Sequence, residues 1–209
     1  GSGGGGGGSG SGSGSVNDCG DSAYARFAIA PGELQGLLEY VPNAAGEWKT
    51  IANTDSLQDH TRKEHTVPGN CEGTLRQLVA TQLRSGDTWG EASFLKSVGS
   101  TTAKQQWWHA DGRRSLILAL MDGTVLLIKV DGLAYKITLD AGNGIVFGRD
   151  FIHAGGAYVV DNVRIHVYIN QGGEADVGDS TFNRQKPTSQ EGQCTLQEHP
   201  VDAVAEGTG

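Results

Sequence analysis

Between residues 105 and 170 the chain repeats one pattern: a short run rich in Val, Ile and Leu, then a turn built on Gly, Asp or Asn. RSLILALMDG, TVLLIKVDG, LAYKITLDAG, NGIVFGRD and VRIHVYIN all follow it. Three DG pairs and an NG supply the turn signals. Short strands at this pitch, with no helices between them, predict an antiparallel sandwich or barrel.

Upstream the texture differs. PGELQGLLEYV, residues 31–41, sets Leu34, Leu37, Leu38 and Val41 at helical spacing behind Pro31. GTLRQLVATQLRSG, residues 73–86, repeats that spacing with Leu75, Leu78, Val79 and Leu83 and closes on Gly86. These two predicted helices are expected to cover an outer sheet face. The polar stretch NTDSLQDHTRKEHTVPGN between them reads as a long loop, so residues 44–74 are a candidate lid over a site. His60 and His65 within it read as exposed loop histidines.

The ends are simpler. Residues 1–15 are only Gly and Ser, a flexible tail or an engineered linker. From residue 171 to 209 the chain is polar and acidic apart from Arg184 and Lys186, and is expected to wrap the surface or be disordered. That leaves a single domain over 16–170, with helical support in 16–100 and the β core in 100–170.

Charge and cysteine usage narrow the function classes. The net charge of -8 shows no basic face, which disfavours long nucleic acids as partners. No apolar run approaches the roughly 18 residues that span a bilayer, so no membrane association is expected. Cys19, Cys71 and Cys194 are far apart and form no CxxC pair, which argues against a disulfide scaffold or a thiolate zinc site. A reducing intracellular setting, cytoplasmic or nuclear, fits that usage.

The candidate chemistry begins at WWHADG, residues 107–112. Residues two apart on a strand share a face, so His109 and Asp111 present an imidazole and a carboxylate to one ion. GRDFIHAGGAY then places His153 at the end of an apolar strand, followed by small residues that let a ligand approach. Two imidazoles and a carboxylate bind one face of an octahedral metal and leave three positions open. Eleven residues on, Arg164 opens NVRIHVYIN, where Ile165, Val167 and Ile169 alternate with Arg164, His166 and Tyr168. One face is apolar, and the other carries a buried arginine that needs an anion, with a carboxylate the natural partner of its fork. HxD alone is common as a hydrogen-bonded pair in a turn; His153 and Arg164 are what move the reading to a metal site.

Trp107 shares the parity of His109 and could stack on a flat substrate, whereas Trp108 faces the other way; core packing is the plainer role for either. Arg113 and Arg114 sit at the expected barrel mouth, as solvated surface or as attractors of an anionic substrate. The GNG and GG glycines lack the following helix a phosphate loop requires and read as turns beside the site.

His109-x-Asp111, then His153, then Arg164 resembles the HxD…H…R pattern of the 2-oxoglutarate- and Fe(II)-dependent dioxygenases. GNGIVFGRDFIHAGGAY…NVRIHVYI is similar to the last strands of their double-stranded β-helix, and the resemblance covers residues 100–170 without singling out a subfamily. It implies a mainly β (α+β) fold, a jelly-roll barrel with helices on the outer face of its major sheet. It also implies that His109, Asp111 and His153 hold Fe(II) and that Arg164, with His166 beside it, binds 2-oxoglutarate. O2 and a further substrate would follow, namely a small molecule, a protein side chain or a modified base, with Trp107, Arg113 and Arg114 as candidate contacts. Related halogenases carry a small residue where Asp111 stands, so hydroxylation or demethylation is the expected outcome. A metal-dependent cupin that does not use 2-oxoglutarate, or a non-catalytic binding module on the same barrel, are the alternatives.

Overall fold

The computed structural model describes residues 24–44, 47–51, 62–103, 105–130 and 132–171, together with the backbone of the short strands at 182–185 and 197–198. The chain lays down β1 (Tyr24–Ala28), α1 (Pro31–Leu38), β2 (Lys49–Thr50), β3 (Arg62–Thr66), α2 (Gly69–Leu78), β4 (Thr88–Ser97) and β5 (Trp108–Ala110). It continues through β6 (Arg114–Ala119), β7 (Thr124–Val130), β8 (Leu133–Leu139), β9 (Asn143–Phe147), β10 (His153–Gly155), β11 (Asn162–Asn170), β12 (Phe182–Gln185) and β13 (Gln197–Glu198).

These strands form two facing sheets. The seven-stranded one runs β1-β9-β6-β11-β4-β3-β2 and the six-stranded one β12-β5-β10-β7-β8-β13. From β4 to β11 the chain passes repeatedly between the sheets, which gives the double-stranded β-helix that the resemblance implied. All pairings are antiparallel except β13 on β8. The DG pairs do turn the chain: Gly112, Gly123 and Gly132 take φ of 65°, 71° and 78°, a region that costs a Cβ-bearing residue energy.

Period-2 alternation sorts the larger sheet into two faces. Outward go Leu116, Leu118, Val146, Val163, Ile165, Val167 and Ile169, which join Leu37 of α1 and Cys71 and Leu75 of α2 in one buried cluster. Inward go Ile117, Ala119, Ile145 and Phe147, which meet Leu126, Ile128 and Ile137 from the facing sheet. The helices therefore pack on the outside of the larger sheet, and the space between the sheets is filled at one end only by apolar groups. No helix among the described residues is long and apolar enough to cross a membrane.

Several local expectations are corrected. The span 16–100 is not mainly helical support, because it also supplies β1, β2, β3 and β4. α2 starts at Gly69 rather than residue 73; Pro68 tolerates the N-cap position, where its missing N–H is no loss. The stretch read as a polar lid contains β3, paired along its length with β4, so 62–66 is sheet. His65 lies on that strand with its Nδ1 2.9 Å from the Glu47 carbonyl. Residues 52–61, His60 among them, lie outside the described residues. Asn143-Gly144 is not a turn but the start of β9; the chain reverses just before it, at Gly142. Residues 1–15 and most of 171–209 lie outside the described residues, although β12 pairs with β5 and β13 with β8.

Candidate metal centre

His109 sits on β5 and His153 on β10, and the two are directly paired across the strands. His153 therefore belongs to a three-residue strand of its own rather than to the end of β9. Directly opposed residues share a face, so both rings enter the barrel, with centroids 4.4 Å apart. Asp111 follows β5 on the same parity and is 5% exposed. Its Oδ1 lies 3.8 Å from Nε2 of His109 and its Oδ2 3.7 Å from Nε2 of His153. One ligand atom from each of these residues lies within 4.8 Å of the other two.

The imidazoles are oriented for coordination. Nδ1 of His109 is 2.8 Å from the Trp107 carbonyl, and Nδ1 of His153 is 3.0 Å from the Phe151 carbonyl. A carbonyl oxygen only accepts, so each Nδ1 carries the proton and donates. Each Nε2 then presents its lone pair to the shared space, the tautomer a metal ligand needs.

Burial sets the charges. Desolvation pushes the His109 pKa down to about 4, with His153 acting in the same direction and Asp111 against it. His153 is lowered too, again mainly by burial. Both rings are therefore neutral at pH 7. Burial alone would raise Asp111, but His153, His166 and His109 around it outweigh that and hold its carboxyl well below the usual range. An ionised carboxylate between neutral imidazoles is a hard-plus-borderline donor set with a net charge of minus one, suited to a divalent ion. Asp111 Oδ2 is buried and has no hydrogen-bond partner. Nε2 of His166 lies 3.5 Å from it, close enough to feel its charge.

Arg164 stands on β11, 3% exposed, on the inner face with His166 and Tyr168. Its Nη1 donates to Ser97 Oγ at 3.2 Å and its Cζ lies 5.5 Å from the Tyr158 ring centroid. Its Nη2 is buried with no hydrogen-bond partner. The Tyr158 hydroxyl both donates to the Val125 carbonyl and accepts from its N–H, which fixes that ring. A buried donor here and a buried acceptor at Asp111 leave the barrel holding bonds it does not complete by itself.

The remaining expected residues separate. Trp107 is half-buried on the parity of His109, while Trp108 packs outward against Leu127 and Ala154 with Lys129 Nζ 4.8 Å over its ring. Arg113 lies at the mouth, its Cζ 4.8 Å from the centroid of Tyr168. Arg114 does not: its parity is that of Leu116 and Leu118, so it points to the helix-covered face. There it pairs with Asp87 and donates to the Gln82 carbonyl at 2.9 Å, which corrects its assignment as a substrate contact. Sequence reasoning missed Ser97, Tyr158 and Arg62, all of which reach the barrel interior. The period-2 parity of β4 and β3 against β11 was the signal that would have found the first and the last.

No family model matches the sequence, and no curated protein matches it in sequence. Solved structures do match in fold. The chain is similar to a prolyl hydroxylase from Trichoplax adhaerens in complex with a hypoxia inducible factor peptide, at 14% identity, over 73% of this chain and 84% of that one, TM-score 0.57. It is similar to the non-heme alpha-ketoglutarate-dependent carbocyclase SnoK of nogalamycin biosynthesis, at 9% identity, over 80% and 89%, TM-score 0.57. It is also similar to HygX from Streptomyces hygroscopicus, solved with nickel, 2-oxoglutarate and hygromycin B, at 8% identity, over 79% and 94%, TM-score 0.54. The fold is thus that of the 2-oxoglutarate- and Fe(II)-dependent oxygenases, and the chain covers most of each of these proteins.

Proposed function

We propose that this chain is an Fe(II)- and 2-oxoglutarate-dependent dioxygenase, coupling oxidative decarboxylation of 2-oxoglutarate by O2 to hydroxylation or demethylation of a further substrate. The observation that carries the reading is the pair of incomplete buried groups, Asp111 Oδ2 among the imidazoles and Arg164 Nη2 deeper in the same barrel. One needs a cation and the other an anion.

His109, Asp111 and His153 would hold the iron, which supplies the activation of O2. The other steps belong to the chain. The two Nδ1 tethers keep the Nε2 lone pairs aimed, and Asp111 offsets the ion's charge. Arg164, held by Ser97 and backed by the Tyr158 ring, takes the far carboxylate of 2-oxoglutarate and fixes its orientation. His166 sits against Asp111 and orders that carboxylate. Tyr168 and Arg113 frame the mouth, with Trp107 on the parity of the site, where a peptide side chain, a small molecule or a modified base would enter. The three similar proteins act on such different molecules that none of them selects this substrate. We place the reaction in a reducing intracellular setting, in keeping with the free Cys71 on the buried face of α2.

The test is succinate formation from 2-oxoglutarate by protein supplied with Fe(II), ascorbate and air, with Asp111→Ala as control. Wild type is expected to turn over slowly without added substrate, and the variant to lose more than ~100-fold, beyond what disturbing an outer support of a ligand costs. Metal binding without any 2-oxoglutarate binding would leave the metal-dependent cupin. Failure to bind metal would leave a binding module.

A further inference from the structure

Arg62 opens β3 and is 9% exposed, although the run RKEHT around it looks like a solvated strand. Its register partner is Ser97 on β4, and Ser97 is the residue whose hydroxyl accepts from Arg164. Opposed residues share a face, and Ser97 lies two residues from Leu95, the partner of Arg164. Arg62, Ser97 and Arg164 therefore line one inner surface. The Arg62 guanidinium crosses the barrel: its Nη2 fills the space a Cβ on Gly155 of the facing sheet would need, with Gln106 Oε1 next at 2.7 Å from that point. Gly155 is on the parity of His153, two residues on, or roughly 7 Å along the strand. That separation along the strand is about the length of a five-carbon diacid.

Two guanidiniums, neither of which can lose its charge, thus converge on one buried space. A carboxylate placed between them can accept charge-assisted hydrogen bonds from both forks, which one arginine alone does not offer. Arg62 also acts at a distance on the triad, as one of the lesser influences, behind burial, that push His109 and His153 down.

We propose that Arg62 is a second guanidinium of the co-substrate site, closing with Arg164 on the distal carboxylate of 2-oxoglutarate and restricting the site to dicarboxylic 2-oxo acids. This rests on the dioxygenase reading above. Gly155 is then glycine because a side chain there would displace Arg62.

The experiment is calorimetric binding of two acids to the Mn(II)-loaded protein: 2-oxoglutarate, and 2-oxopentanoate, which has the same chain without the distal carboxylate. Arg62→Met is expected to raise the 2-oxoglutarate Kd about 10- to 100-fold, the worth of a charge-assisted hydrogen bond. It should leave 2-oxopentanoate within about 2-fold and Mn(II) affinity unchanged. Arg62→Lys should recover part of the loss. Gly155→Ala, which keeps the arginine but takes its place, should reproduce the same selectivity, and it decides the matter if Arg62→Met does not fold. Equal loss for both acids would put Arg62 at the metal end, and no loss for either would remove it from the co-substrate site; each overturns the proposal. If wild type does not bind 2-oxoglutarate, or Arg164→Met does not weaken it, the dioxygenase reading itself has failed.

Discussion

The two sides of β11 are buried alike but built on opposite terms. On the outer side, Ile165, Val167 and Ile169 are each 0% exposed against the helices, and even the charged group there is satisfied, Arg114 being closed by Asp87 and Gln82. On the inner side, Arg164 is 3% exposed and still has a donor with no partner, facing a triad whose Asp111 lacks one as well. Each such group costs about 1–3 kcal/mol. One face stabilises the fold through apolar contact and a closed ion pair. The other gives up stability and keeps bonds open for a ligand to complete.

Two buried arginines test that difference most sharply. Arg114→Met strips the cationic partner from Asp87, whose side chain is 3% exposed and keeps only the Arg84 N–H beside it, and should lower unfolding stability by about 3–5 kcal/mol. Arg164→Met removes a charge that has no carboxylate partner among the described residues, and should leave stability unchanged or higher while 2-oxoglutarate binding is lost. Denaturant unfolding of both variants decides it; equal losses would mean that Arg164 is a structural group. Ile165→Ala comes next. It opens a cavity against the helices and should cost about 2–5 kcal/mol with the metal affinity of the triad preserved.

How much of this could be read without the fold follows the same division. The β11 pattern Arg164–Ile169 alternates cleanly, so its two faces, the barrel and the triad with its arginine were legible from local sequence. Arg114 is not legible in this way because parity restarts after the turn at Gly112, and nothing local says which of two adjacent arginines faces inward. RKEHT has no apolar alternation and so reads as loop; the strand character of β3 comes from β4, whose backbone it pairs with across a wide sequence separation. Arg62 is hidden with it. Charged groups that act inside a barrel look in sequence like charged groups that face water, and only register tells them apart.

Acid should separate the two faces by a smaller margin. An unfolded histidine takes its proton near pH 6.5, but His109 in the fold does so only near pH 4, mainly because it is buried. Between those values the unfolded chain binds more protons, so stability is fully present above about pH 6.5 and falls as the pH drops toward 4. At ~1.4 kcal/mol per unit, His109 accounts for on the order of 3 kcal/mol across that window, with His153 adding in the same direction. Metal-free protein compared at pH 7 and pH 5 should show the loss, and His109→Leu should flatten it. An unchanged slope in that variant would mean the triad is more open to water than its packing indicates.

The smallest effect belongs to Arg113, the neighbour of Arg114 on the other side of the turn. It is half-buried, with its guanidinium over the Tyr168 ring. A cation–π contact at such a site contributes about 0.5–1 kcal/mol, so its loss in Arg113→Met should lower stability on that order. Mn(II) and 2-oxoglutarate affinities should also hold, because His166 and Tyr168 stand between it and the triad on β11. What should change is the capture of an anionic substrate, read as a rise in KM with kcat preserved once a substrate is found by succinate coupling. A fall in kcat at constant KM would place Arg113 at the reacting atoms, and the mouth would then have to be counted as part of the open inner face rather than as its rim.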